Sequence, residues 1–481
     1  MPRTTDIHRW HSRLSRPGDP ASYMYAWGIP LAITTSYVFL AVRQDLRLWI
    51  PGLIGASALA VSSLAVLLYA GEHGKVRFSA GMILVLGLLF RMLFLFRLPE
   101  LSDDIYRYLW DGLQTLQGVN PYGLAPSSVQ PLDAAEAALQ HKVNHPQFVT
   151  IYPTMSRLIF ALGAAVSGSV TGMKVILVIL DMIACVVILK LLTHRNQPAW
   201  RAALYAWHPL PVIEIAGSGH VDGAGILFLL VTLGVLFPRS SPVSVAASCD
   251  HIEPFHRKRN SFIAGIFFAA SVLVKFIPLV YLPVLLVAGA YPLVMISGFF
   301  SGTVLLCIPF LSDSSHMFGT LGAYLKNWEF ANFAFRTLRL MMSSGDHARM
   351  ILSFLFVICV LYLTVFPRIN RTDCTKKESS SLPVKAMYGI TFGFLLLTPA
   401  LHPWYALYLV ALFPFIAGPA GLVFSWAVFL SYHVLIEYTV LGRWIENDTI
   451  AAAVWLAPVA AWLASLIVKA VRPHEPVIRS L

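Results

Sequence analysis

The chain has 481 residues, 57% of them hydrophobic and 12% charged, with a mean hydropathy of +0.70. A soluble domain carries roughly a quarter charged residues and does not repeat apolar runs of about 18 or more, so that class is excluded. The runs are also unbroken rather than alternating, which excludes an outer-membrane barrel. The net charge of +11 is the ordinary excess of Lys and Arg in cytoplasmic loops of a membrane protein, and no nucleic-acid partner is expected.

In chain order the apolar runs are 23–42, 48–70, 78–96, 154–170, 173–192, 202–217, 222–238, 261–275, 277–291, 293–311, 349–367, 386–400, 404–418, 421–440 and 450–470. About 20 residues cross the hydrocarbon, so the shorter runs are tilted, broken or partly inserted. Basic clusters at Arg3–Arg16, Arg195–Arg201, Arg239–Arg259, Arg368–Lys385 and Lys469–Arg479 place those segments in the cytoplasm. The polar segments 97–150 and 312–348 then face the other side.

Two apolar runs separate the outer segment 97–150 from the inner cluster at 195–201, and two full crossings would return the chain to the outside. The run 154–170, which holds Arg157 and Gly163 and ends in a Gly/Ser-rich stretch, is therefore expected to be re-entrant or interfacial. The expectation is an all-α, polytopic integral membrane protein of about 12–14 transmembrane helices. It has a cytoplasmic tail 1–22, one transmembrane domain 23–471 and a cytoplasmic tail 472–481. No cleavable signal peptide is expected from the polar, basic first 22 residues. Cys185, Cys307 and Cys359 lie in apolar runs and Cys249 and Cys374 in basic loops, so no disulfide framework is implied.

With the basic loops inside, the unusual polar residues gather at the outer face, where acids at helix ends read as a functional site. Asp103 and Asp104 follow the third apolar run directly, after Ser102. They are either caps of a juxtamembrane helix, with Ser102 as N-cap, or one of them is a catalytic base. Helical spacing puts Asp104, Tyr108 and Asp111 on one face and Asp103, Arg107 and Trp110 on the next. An Asp103–Arg107 pair would hold a phosphate nearby or be a solvated ion pair worth under about 1 kcal/mol. Gly118-Val119-Asn120-Pro121-Tyr122 is a turn closing the first outer helix, and Leu132–Gln140 is a short amphipathic helix capped by Asp133 on the membrane surface.

Glu214, His220 and Asp222 form a second group, after Pro209 and Pro211 interrupt a helix and Gly217-Ser218-Gly219 turns the chain. Such a broken end suits a phosphate, or it is a structural hairpin with Asp222 as N-cap and His220 as a packing histidine. Lys275 at a run's end either snorkels or contacts phosphate. The tip His402-Pro403-Trp404-Tyr405 is an interfacial belt or a stacking platform for a sugar. Asp181 is expected to be a structural partner for a neighbouring helix, and the sequons at Asn370 and Asn447 to be chance matches. No spacing matches a zinc site, so no metal or cofactor is expected, although paired acids could take a divalent cation through oxygen.

The segments SDDIYRYLWDG (102–112), GVNPYGLAP (118–126), NHPQFVTIYPTMSRLIF (144–160), HPLPVIEIAGSGHVDG (208–223), LVKFIP (273–278) and LHPWYALYLVALFP (401–414) resemble one family. It is the bacterial polyprenyl-phosphate-dependent glycosyltransferases of the GT-C class, nearest the GT87-like and alpha-1,6-mannopyranosyltransferase-like membrane proteins. The resemblance implies a multi-helix fold whose first outer loop begins with an acid that activates the acceptor hydroxyl. It also implies a lipid-linked monophosphate sugar donor, and a lipid or glycan acceptor, at the outer face of the bacterial inner membrane. Carried over, Asp103 or Asp104 is the base. Arg107, Tyr108, Asp111, Asn120, Tyr122, Glu214, His220, Asp222, Lys275, His402 and Trp404 contact substrates. Arg107, Lys275 and Arg443 are the cations named for the phosphate. The chain departs from the family in two places: His208-Pro209-Leu210 stands for Asn-Pro-Leu, and His220-Val221-Asp222 for His-Asn-Asp.

The expected function is transfer of a hexose, mannose first, with inversion. The alternative is a transporter or flippase for lipid-linked sugars, which would place its ionisable residues near the bilayer midplane on broken helices.

Overall fold

A computed structural model describes residues 20–238, 253–311, 318–369 and 383–471. Both expected tails, save their residues 20–22, together with Cys249, Cys374 and the Asn370 sequon, lie outside the described residues. All regular elements among the described residues are helical, and the strand-like pairing is an isolated bridge between Phe330 and Ala400. The principal helices are α1 (Pro20–Ala41), α2 (Ile50–Glu72), α3 (Ala80–Leu95), α4 (Asp104–Leu116), α5 (Ala134–Gln140), α6 (Thr154–Ser167) and α7 (Val170–His194). They continue with α8 (Asp222–Leu236), α9 (Glu253–Val274), α10 (Pro292–Cys307), α11 (Phe333–Met342), α12 (Gly345–Ile369), α13 (Val384–Leu397) and α14 (Asp448–Val471), with shorter helical pieces between, of which those over Pro419–Leu441 run on as one apolar segment. Among the described residues seven helical segments are long and apolar enough to cross a membrane, and five shorter apolar helices accompany them. The chain is a multi-pass, all-α membrane protein.

Side-chain contacts at the helix ends sort the loops onto two faces. On one, Arg201 pairs with Glu72, and Arg195 donates to the carbonyl of Phe237 at 3.0 Å. On the other, the amide of Leu46 donates to Glu100 at 2.8 Å and Arg97 donates to the carbonyl of Ala41. The helix α6 starts at Pro153, which lines the large cavity on this second face. It ends at Gly168, whose φ of +58° lets the chain double back, and Ser169 then caps α7. Lys174, in the second turn of α7, donates to the carbonyls of Phe94 and Arg97 at 2.9 and 2.8 Å, so both ends of α6 lie at the cavity face. The run 154–170 thus begins and ends on the same side of the helix bundle.

The core is held by one closed polar knot. Arg91 of α3 and Asp181 of α7 are fully buried and meet at 2.6 Å. Tyr205 donates to the second oxygen of Asp181 at 2.6 Å, and Arg91 also donates to the carbonyls of Gly87 and Ala206. Asp181 is thus the interhelical partner its position predicts. At Gly112, α4 lies so close to α6 that a Cβ would stand 2.3 Å from the carbonyl oxygen of Phe160. That contact fixes the tilt of the helix that carries the acids.

Candidate active site

A cavity of about 1440 Å³ opens on the second face. Its walls come from the α1–α2 loop, the start of α4, residues 144–153, Lys275, the segment around Trp328, and the loops at 398–405 and 432–444.

Asp103 takes the N-cap position of α4, yet its side chain makes no capping bond. The amide of Asp104 is instead accepted by Ser102 Oγ at 3.3 Å. Asn144 donates from one Nδ2 to Oδ1 of both Asp103 and Asp104, each at 2.9 Å. The two acids are thus gripped by a remote amide rather than used as caps. Tyr152 donates to the other oxygen of Asp104 at 3.3 Å, and His220 Nδ1 lies 3.9 Å from it. Burial pushes the Asp104 carboxyl above its ordinary value, the neighbouring Asp103 charge adds to the rise, and Asn144, Lys275 and Tyr152 oppose it. A carboxylate so placed is a stronger base than one in water.

The second group forms the wall behind the acids. Without proline N–H donors at 209 and 211, the chain winds as a π turn over Pro211–Gly217. Gly219 (φ +83°) then turns back so that the amide of His220 donates to the carbonyl of Glu214 at 2.8 Å. His220 Nε2 stands 3.6 Å from Glu214, which accepts from Tyr432 with both oxygens at 2.8 and 2.9 Å. The ring of His220 stacks on Trp404 at 3.9 Å, Trp404 on His402 at 4.5 Å, and His402 on Phe330 at 5.0 Å. Burial lowers His402 to about 3, so it is a neutral ring in this stack. The Phe330–Ala400 bridge, with bonds from Phe330 N to Pro399 O (3.1 Å) and Leu401 N to Phe330 O (2.8 Å), fastens the platform.

Of the residues expected to act, Asp103, Asp104, Arg107, Lys275, His402 and Trp404 line the cavity. Tyr108, Asp111, Asn120, Tyr122, Glu214, His220 and Asp222 do not line it. Tyr108 stacks on Phe160 at 4.3 Å. The Asp103–Arg107 pair is not formed, because Arg107 pairs with Asp111 one turn on, at 2.9 Å. The cap position 103 has φ −103° and ψ 1°, which takes its side chain out of helical register. Asn120 accepts from the amide of Tyr122 (3.1 Å), and the Tyr122 hydroxyl donates to the carbonyl of Tyr152 (2.7 Å). That turn braces the strand of chain carrying Tyr152. Asp222 is not the N-cap of α8, which is Val221; its carboxylate pairs with Lys275 at 2.9 Å. Arg443 is exposed and does not itself line the cavity, although its neighbour Trp444 does. Among the described residues no three His, Cys, Asp or Glu side chains converge in a metal-holding group.

Asn144, Tyr152 and Tyr432 were not among the expected contact residues. Asn144 was visible as an Asn-His-Pro motif, but nothing local told that it reaches back 40 residues to the acids.

No curated protein matches the chain. A family model described as alpha-(1->6)-mannopyranosyltransferase, N-terminal domain, matches residues 40–291. That span holds both acids, Asn144, Tyr152, Glu214, His220 and Lys275, and it covers more than half of the sequence. The chain belongs to the alpha-(1->6)-mannopyranosyltransferase family, and this membership supports a mannosyltransferase activity.

Proposed function

We propose that the protein transfers mannose from a polyprenyl-phosphate donor to a hydroxyl of a lipid or glycan acceptor, with inversion, and that Asp104 is the base. The observation that carries this is the setting of Asp104. It lines the cavity, both its oxygens are oriented by neutral donors, and it lies beside an aromatic platform suited to sugar faces. In the reaction the acceptor oxygen attacks C1 of mannose while its proton passes to Asp104. The C1–oxygen bond to the lipid phosphate breaks from the opposite side and the phosphate leaves with the electron pair. A phosphate leaving group asks for no nucleotide site. Apart from the closed Arg91–Asp181 pair, the charged groups of the proposed site gather around a cavity at one face of the helix bundle, which favours an enzyme over a transporter with midplane sites. We place this face at the outside of the bacterial inner membrane, because the Arg195–Arg201 cluster lies on the opposite face.

The test is transfer of labelled mannose from polyprenyl-phosphate-mannose to a membrane lipid extract by the purified protein. Asp104→Asn should lose at least about 10²-fold, the low end for removing a general base, while Asp103→Asn keeps most activity. Full activity in the Asp104 variant would sink the assignment. A silent wild type, tried with other polyprenyl-phosphate sugars and equally silent, would sink the reaction.

A further inference from the structure

One end of the cavity is cationic, and neither the acids nor the aromatic platform accounts for it. Arg43, Arg47 and Arg97 line it there. Arg47 is neutralised by Asp45 at 2.7 Å and Arg97 by Glu100 at 2.6 Å. Elsewhere in the cavity Lys275 faces Asp222 and Arg107 faces Asp111. Among the described residues Arg43 has no acidic partner. Its guanidinium carbon lies 4.5 Å from the ring centre of Phe39 and 4.1 Å from that of Trp49, and its Nε is buried without a hydrogen-bond partner. Two aromatic faces thus hold an unneutralised, planar fork of donors in one place at the cavity edge.

The surroundings say what kind of anion would come. Leu48, Phe96 and Leu98, next to these arginines in the chain, are 62%, 69% and 71% exposed, an apolar strip of which Leu98 lines the cavity itself. A charged fork meeting an apolar strip fits an amphiphile with an anionic head and a hydrocarbon tail. The loop also lies on the face opposite the Arg195–Arg201 cluster, where the usual bias puts few cations, so this arginine is not explained by topology.

We propose that Arg43 is the phosphate subsite of the cavity, binding the phosphate of a polyprenyl phosphate. The proposal rests on the donor reading above and gives the donor's anion a named partner, in place of Arg107, Lys275 and Arg443. Guanidinium and phosphate meet through paired N–H donors, which a lysine cannot reproduce.

The test is equilibrium binding to the purified full-length protein in detergent, with polyprenyl phosphate, neutral polyprenol and inorganic phosphate as separate probes. Wild type should prefer polyprenyl phosphate over polyprenol by at least about tenfold, the size of one charged hydrogen-bonded contact. Arg43→Met should erase that preference while leaving polyprenol binding unchanged, and Arg43→Lys should fall between. Melting curves report folding, and if the Met variant is unfolded the Lys variant decides, with wild-type binding counting against the proposal. A folded Met variant that keeps the full preference overturns the subsite and leaves the donor reading standing. Binding of inorganic phosphate through Arg43 without polyprenyl phosphate keeps an anion site and overturns the lipid donor. A wild type indifferent to the phosphate of either probe overturns both.

Discussion

Two acids of this protein are held in opposite ways. Asp181 sits in the helix core with each oxygen taken by a partner, Arg91 on one and Tyr205 on the other, and Arg91 is itself bonded to two carbonyls. Asp104 sits at the cavity with neutral donors on its oxygens and no cation in hydrogen-bonding contact, and its side chain is 22% exposed. The first acid is closed and its charge is cancelled. The second is oriented but has no ion-pair partner at hydrogen-bonding distance. In the proposed reaction this contrast separates a structural carboxylate from a chemical one more sharply than burial alone, since both lie in a largely apolar protein.

Opening the closed pair should do the greatest damage. Asp181→Ala leaves a buried guanidinium uncompensated and should destabilise the fold by about 3–5 kcal/mol, read from denaturant or thermal unfolding in detergent. Asp181→Leu with Arg91→Met should recover much of that, because an apolar pair of similar volume can replace a buried ion pair. If Asp181→Ala unfolds like wild type, the knot is not what holds α3 to α7.

Asp104→Asn should show the reverse profile, with little change in unfolding and a loss of transfer of about 10²-fold or more. A lesser effect is expected at Trp404. Trp404→Ala removes an inner ring of the four-ring stack and should raise the acceptor KM about tenfold with kcat less affected, matching roughly 1–1.5 kcal/mol for an aromatic stack. A drop in kcat alone would mean that the ring positions Asp104 through His220 rather than a sugar.

The smallest effect concerns pH. Because burial and the Asp103 charge raise the Asp104 carboxyl, the ionised base is lost at a higher pH than for an ordinary carboxylate. The acid limb of kcat/KM should therefore lie above the usual carboxylate range. Asp103→Asn removes the neighbouring negative charge and should move that limb to lower pH. A limb that stays in place would show that the two acids do not sense each other.

Much of the architecture was legible in the sequence because hydropathy and charge act over long windows. The helical class and the cap of Asp133 over α5 follow from local composition, and Asp133 does accept from the amide of Glu136 at 2.8 Å. The acids stood out because they follow an apolar run directly. What the sequence hid was pairing at a distance. Arg107 has acids at both i−4 and i+4, and only the non-helical backbone at 103 decides between them. Glu214, His220 and Asp222 look like one set, yet the π turn and Gly219 send the first two toward Tyr432 and Asp104 and the third toward Lys275. Nothing in the sequence singles out Arg43. Its two clamping rings, Phe39 and Trp49, lie on different helical segments, and only the loop's geometry brings them together.

The bridge at Phe330 and Ala400 ties two loops that both lie beyond residue 291, where the family match ends. The acids and their amide grip precede that point, while the stacked rings of Trp404, His402 and Phe330 follow it. In the proposed reaction, reactivity and recognition thus fall on separate lengths of chain, which meet where His220 stacks on Trp404 and where Tyr432 donates to Glu214. In the proposed reaction such a division makes the protein modular: loops after residue 291 can change which sugar is received without rebuilding the base. A chimera exchanging only those loops would inherit the chemistry of one parent and the selectivity of the other.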